Sequence, residues 1–434
     1  MTGSCQPATA QAEPAALLRS KGYLAILLVA ALLGVPVSAA AYGFLALVSY
    51  LQKEIFVRLP HGLGYAAEPI WWPLPVLLAG GVLVSLIIRY LPGNGGPSPA
   101  GGFKMHAAPS PLVLPGLLLA AVATLCFGLV LGPEMPLIAL GGGLASLAVR
   151  LARRPVPDQA TKVIGAAGSF AAISMLFGSP LAGAFLLMEA SGPGGPMLGV
   201  VLVPGLLAAG VGSLIFIGLD NLTGLGTFSL AIPGLPHFAR PDLAEFGWAI
   251  GIGVAAALAG TGVRSVGRMV QRLAVKRTVL VLPAAGLIVA GLAIGYAEGT
   301  GKASSEVLFS GQSALGPLVT HATDYTASAV LLLLACKGLA YAVSLGSFRG
   351  GPVFPAIFVG AAGGIALSHL PGLPMVAGVA MGIGAMSATM LTLPLTSVLL
   401  ATLLLASDGI AVMPLVIVAV SVAYVTAARL SVAL

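Results

Sequence analysis

Glu134 is the only formally charged side chain between Lys104 and Arg150. It stands in Leu131-Gly-Pro-Glu-Met-Pro-Leu-Ile-Ala-Leu-Gly-Gly-Gly143, within a run dominated by Leu, Val, Ala, Gly and Pro. A carboxylate in such a run lies inside a bilayer. A charge at mid-membrane costs about 2.5–3.5 kcal/mol on insertion scales, so it is kept where it faces a cavity or a pathway. Pro133 and Pro136 bracket it. Proline fits the first helical turn, where amide donors lack partners anyway. The spacing therefore predicts a helix that starts in mid-membrane, with free N–H groups, a positive dipole end and one titratable acid at its mouth. That is an anion site with a gate.

Three further Gly/Pro breaks accompany it: Pro92-Gly-Asn-Gly-Gly-Pro97, Gly346-Ser-Phe-Arg-Gly-Gly-Pro-Val-Phe-Pro355 and Leu391–Thr396. Any one of them is explained by packing alone. Several helix N-termini aimed at one place, however, bind an anion without lysine or arginine. They hold it weakly enough to release it, as conduction requires.

The elements that must position these breaks are membrane helices. Of 434 residues, 58% are hydrophobic and 8% charged, and mean hydropathy is +1.05. So few charges cannot cover a soluble protein of this length. The 20 Lys and Arg against 13 Asp and Glu give a net charge of +7. The basic residues collect in short loops, Arg150–Lys162 and Arg264–Arg277, which fits topology and headgroup contact and argues against nucleic-acid binding. The 59 glycines and 32 prolines imply many short or interrupted helices. Residues 1–21 read as a cytoplasmic tail, and a first membrane helix follows Arg19 and Lys21. Apolar runs follow at roughly 71–90, 111–131, 135–151, 161–176, 179–190, 196–218, 243–265, 278–297, 325–345, 353–369, 374–390, 393–406 and 411–431. Several fall short of the roughly 20 residues a full span needs, so they are half-spanning or re-entrant. No soluble or C-terminal regulatory domain is expected.

Two motifs recur. Ser179-Pro-Leu-Ala-Gly183 resembles Leu393-Pro-Leu-Thr-Ser397 at an offset of 214, and Gly132–Pro136 resembles Gly351–Pro355 at an offset of 219. Two related halves follow, roughly 22–218 and 243–431 within a membrane domain 22–434, with the substrate site at their interface.

In combination these motifs resemble the CLC family of anion channels and proton-coupled anion transporters, from about residue 20 onward. Gly93-Asn-Gly-Gly-Pro97 is similar to its GSGIP element, and Gly132-Pro-Glu-Met-Pro136 to GREGP. Phe177-Gly-Ser-Pro-Leu-Ala-Gly183 is similar to its NAPLAG segment, Gly350-Gly-Pro-Val-Phe-Pro355 to GGIFAP, and Leu393-Pro-Leu-Thr396 to APLT. The resemblance implies an all-α polytopic membrane protein of about 18 mostly tilted, partly re-entrant helices in two inverted repeats. It implies a homodimer in the cell (inner or plasma) membrane with one anion pathway per subunit. Glu134 falls on the gating glutamate. Asn94, Gly95, Val353, Phe354 and Tyr424 fall on anion-contacting positions.

The departures are informative. Asn94 replaces a serine, but its amide also donates. Pro352 replaces a residue whose amide would face the anion, and proline has no N–H to give. Pro133 and Met135 replace the arginine and second glycine of GREGP. Ala190 stands where many exchangers carry an internal proton-transfer glutamate. Glu189 lies one residue earlier, about 100° round a helix, as either an internal proton acceptor or a structural residue.

Other residues carry weaker signals. Lys337 either adds positive potential or snorkels to an interface. Arg349 either draws anions in or neutralises helix ends. Trp71 and Trp72 read as interfacial anchors, and Asp408 as a loop residue. Cys126 and Cys336 read as packing cysteines. The histidines show no ligand spacing, so neither a metal nor a cofactor is expected. Chloride, possession of a Glu134 gate and channel-like or weakly coupled transport form the leading expectation. The alternatives are a proton-coupled chloride, fluoride or nitrate antiporter, an inverted-repeat transporter of organic solutes, for which polar lining residues are scarce, and an intramembrane enzyme, for which no nucleophile-and-base motif exists.

Overall fold

The computed structural model describes residues 18–432 apart from 106, 153–155, 193–196, 231, 233–236 and 239. Cys5, most of the tail 1–21, His106, Arg153 and Arg154 lie outside the described residues. The described residues form fifteen α-helices and no strand. Hydrocarbon offers no partner to a backbone amide, so each apolar run satisfies its own N–H and C=O groups as a helix. Glycine and proline decide where the runs stop.

The first seven helices are α1 (Lys21–Gly62), α2 (Pro73–Tyr90), α3 (Leu114–Cys126), α4 (Glu134–Leu151), α5 (Asp158–Ala172), α6 (Pro180–Ser191) and α7 (Met197–Thr223). The remaining eight are α8 (Leu243–Lys276), α9 (Thr278–Thr300), α10 (Gln312–Thr320), α11 (Ala327–Ser347), α12 (Val353–Ser368), α13 (Met375–Leu391), α14 (Pro394–Leu404) and α15 (Gly409–Val432). Eight are long and apolar enough to cross a membrane, while α3, α6, α12, α13 and α14 are short apolar helices of 10–17 residues. The protein is a multi-pass membrane protein. The described residues hold fifteen helices against the about eighteen expected. A π-helical turn at Glu54–Arg58 continues α1 through to Gly62. The segments Ser304–Glu306 and Ala322–Asp324 are single 3-10 turns.

The halves repeat each other's packing. Helix α1 lies on α7 as α8 lies on α15; α4 lies on α5 as α12 lies on α13; α5 lies on α7 as α13 lies on α15. The glycines that permit these approaches recur at fixed offsets. A Cβ on Gly141 would stand 2.3 Å from the Gly168 carbonyl oxygen, and one on Gly360 would stand 2.3 Å from that of Gly382. The two contacts are related by offsets of 219 and 214, those of the sequence motifs. Gly34 approaches the Ala208 carbonyl as Gly253 approaches that of Ala419. Small residues let helix backbones pack closely where no hydrophobic effect drives them together.

Two aromatic and acidic residues sit elsewhere than their sequence suggested. Trp71 is exposed, but Trp72 is buried and its indole N–H donates to the Ile55 carbonyl at 3.0 Å, so Trp72 is a packing residue. Asp408 is buried too, and accepts from the Phe238 amide while pairing with His237.

Candidate functional site

The two breaks that resemble each other in sequence meet each other in space. The Gly132 amide donates to the Gly351 carbonyl at 2.8 Å, and the Gly351 amide donates back to Gly132 at 2.6 Å, forming one isolated antiparallel bridge. Beyond it both chains turn into helices, α4 and α12. Their N-caps, Pro133 (φ −84°, ψ −4°) and Pro352 (φ −90°, ψ −5°), have nearly the same conformation. Two residues before each bridging glycine the amide donates to a hydroxyl of the other half: Val130 N–H to Ser344 Oγ, Arg349 N–H to Thr124 Oγ1. Two helix N-termini are thereby held nose to nose at a buried point.

Glu134 fills that point. Its side chain is fully buried; Oε1 accepts the Val353 N–H at 2.5 Å, and Oε2 has no hydrogen-bond partner. Space for the carboxylate depends on glycine. A Cβ on Gly351 would lie 2.0 Å from Glu134 Cδ, and one on Gly132 would lie 2.1 Å from Oε2. Phe354 stacks on Phe177, with centroids 5.3 Å apart and planes 15° apart, bringing the Phe177–Gly183 segment to the same place. The carboxylate sits where a small anion would find a helix N-terminus.

Two cavities approach Glu134 from opposite neighbours. One, of about 250 Å³, is lined by Pro133 and by hydroxyl and amide side chains including Ser49, Gln52, Ser229 and Ser310. The other, of about 370 Å³, is lined by Met135 and Pro136 together with Asn94, Gly95, Lys104 and Arg349. Residues 93–96 all have positive φ, with Asn94 at +51°. Asparagine is among the few non-glycine residues that tolerate this region, which suits it to a loop otherwise made of glycine. The loop does not open a long helix. A 3-10 turn, Pro99–Gly101, follows it, so Asn94 and Gly95 bring loop groups to the cavity. Arg349 links this loop to the second break, with Nη2 3.4 Å from the Asn94 carbonyl.

Other expected residues lie elsewhere. Tyr424 is 39% exposed on α15, and among the described residues no hydrogen bond or cavity joins it to Glu134. The tyrosine at the site is Tyr341, fully buried, whose hydroxyl donates to the Pro352 carbonyl at 2.6 Å. Its signal in the sequence was its place one turn beyond Lys337, on the run that leads into the second break. Lys337 neither snorkels nor faces Glu134. Its buried ammonium donates to the Glu306, Val307 and Leu308 carbonyls at 2.8–3.2 Å and lies 4.3 Å from the Phe358 ring centre. It clamps the turn before α10. Glu189 is turned to α14, accepting from Leu395 N–H at 3.0 Å, Thr396 N–H at 2.7 Å and Thr396 Oγ1 at 2.6 Å. Ala190 packs half-buried against the core.

Interrupted helices of two repeated halves that meet at a buried acid define a membrane transporter or channel of the repeat type. The chain belongs to the voltage-gated chloride channel (CLC) family, whose sequence profile matches residues 76–428. Over 365 residues it is 33% identical to "Putative ion-transport protein YfeO" of Salmonella choleraesuis (strain SC-B67), covering 82% of this chain and 84% of the relative. Its fold is similar to a crystal structure described as a slow cyanobacterial Cl−/H+ antiporter, with TM-score 0.75 and 20% identity over 93% of this chain and 94% of that one. It is also similar to a CLC-type fluoride/proton antiporter, with TM-score 0.62 and 20% identity over 93% and 95% of the two chains.

Proposed function

We propose that the protein moves small inorganic anions, chloride first among them, through a route gated by Glu134 in a cell (inner or plasma) membrane. One observation carries this reading. A buried carboxylate with one unpartnered oxygen accepts the first amide of α12 at the meeting point of two helix N-termini. Those amides and the two dipole ends are what a desolvated anion requires. While Glu134 holds them an anion cannot. Protonation, or displacement by an arriving anion, swings the carboxylate out and frees them. The Val353 and Phe354 amides then receive the anion, with Asn94 and Gly95 on the cavity beyond. The pathway is one per subunit of a homodimer, as the family resemblance implies. No chemical transformation of a substrate is part of this function, and Ser179 serves as a helix cap to Leu181.

Transport is channel-like or weakly coupled. Ala190 has no proton to give, and the neighbouring Glu189 is engaged by three donors of α14. The second reading is a proton-coupled antiporter, favoured by the two fold neighbours described as antiporters. Chloride efflux and external pH recorded together from liposomes, with valinomycin setting the voltage, separate the two. Chloride leaving without proton movement supports the first reading, and uphill proton movement establishes the second. No flux of chloride, nitrate or fluoride from folded protein rejects both.

A further inference from the structure

Beside the cavity lined by Met135 and Pro136 lies a larger cleft of about 690 Å³, lined by Arg89 at the end of α2, Lys276 and Arg277 at the junction of α8 and α9, and Arg349 ahead of α12. No carboxylate lines it, and among the described residues none of these four cations has an ion-pair partner. Further polar groups border the same cleft. At the start of the 23-residue helix α9 the Thr278 and Val279 amides have no backbone partner, while those of Leu280 and Val281 donate to the Arg277 carbonyl. Ser347 also lines the cleft, fully buried, and its Oγ has no hydrogen-bond partner. Asn94 and Arg349 line both this cleft and the smaller cavity.

We propose that this cleft binds a phosphate-bearing anion and that its occupant closes the route past Asn94. The closure half of the proposal rests on the anion-transport reading above; the binding half does not. The Arg89 and Arg277 guanidinium groups match phosphate oxygens in pairs, with charge-assisted hydrogen bonds, and Arg349, whose terminal nitrogens donate to the Phe348 and Asn94 carbonyls, adds its positive charge. A helix N-terminus adds amides for a further oxygen. A cleft nearly twice the size of the cavity lined by Met135 and Pro136 is too roomy to hold one halide ion, and it suits one or two phosphate groups. The basic end of α8 marks this face as cytoplasmic by the positive-inside bias. Soluble phosphates and the headgroups of the inner leaflet both reach it there.

The experiment uses the whole protein and two probes. Inorganic pyrophosphate is titrated by calorimetry into purified protein, then added to the cleft side of chloride-loaded liposomes. In parallel, flux is compared between phosphatidylcholine vesicles and vesicles doped with phosphatidic acid. The Arg89→Gln/Arg277→Gln variant is the control, because neither residue belongs to the Glu134 site. Pyrophosphate binding and chloride block are expected, both weakened about tenfold or more in the variant, with unblocked flux unchanged. Slowing by phosphatidic acid alone, lost in the variant, identifies a headgroup as the occupant and upholds the proposal. Absence of both effects overturns it, as does pyrophosphate binding that the variant leaves intact or that leaves flux untouched. Should folded protein pass no anion, the transport reading fails by itself and calorimetry still decides whether the cleft binds phosphate.

Discussion

The breaks at Gly132–Pro136 and Gly351–Pro355 share a backbone but differ in what hangs from it. Their glycines exchange hydrogen bonds and their proline caps have nearly equal angles. At the next position one carries Glu134 and the other Val353, and the side chain of the first takes the amide of the second. The same offset of 219 sets Leu118 against Lys337, Val122 against Tyr341, and Val130 against Arg349. One half thus supplies the acid, and the other supplies a hydroxyl on the Pro352 carbonyl, an arginine on the Asn94 loop and a lysine that clamps the turn before α10. Repetition builds a symmetric pair of helix mouths; a few unlike side chains give one of them an acid and leave the other the amide that the acid accepts.

The largest effect should come from erasing the buried difference behind the second break. Lys337→Leu gives that half the residue of its counterpart and strips the donor from four carbonyls, those of Val307 and Leu308 on buried residues. Each unsatisfied group costs about 1–3 kcal/mol, so thermal unfolding in detergent should shift down by several degrees or folded protein should be lost. Gly351→Ala is next. Its methyl group collides with Glu134 Cδ, at a cost of about 1–3 kcal/mol, and Glu134→Ala in the same chain should restore most of the lost unfolding temperature. A double-mutant cycle that shows no coupling would separate the two residues. Tyr341→Phe removes one buried hydrogen bond to the Pro352 carbonyl and should cost about 1 kcal/mol, read as a small drop in the same melt. Tyr424→Phe, on the exposed face of α15, should leave chloride efflux within experimental scatter of the parent.

Much of this contrast was legible beforehand. The apolar runs mark the helices because a membrane leaves the backbone no other solution, and the Gly/Pro breaks mark their ends. Glu134 stood out because nothing else near it carries charge. The offsets 219 and 214, found in two short motifs, reappear in glycine contacts at Gly141 with Gly168 and Gly360 with Gly382. What the sequence could not convey is which polar group closes on which. A tyrosine in an apolar run looks the same at position 341 as at 424, and the carbonyl cage of Lys337 belongs to a turn 28–31 residues earlier in the chain. Helix α10 escaped notice because Gln312–Thr320 has only nine residues, with Pro317 inside it.

The central claim is that the Glu134 carboxylate occupies the donors an anion needs. Chloride binding to purified protein, measured by calorimetry for the parent and for Glu134→Ala, tests it most directly. Removal of the competing carboxylate should tighten chloride binding about tenfold, equivalent to about 1.4 kcal/mol, and should make it insensitive to pH. Equal affinity in parent and variant, with the same pH dependence, would contradict the account.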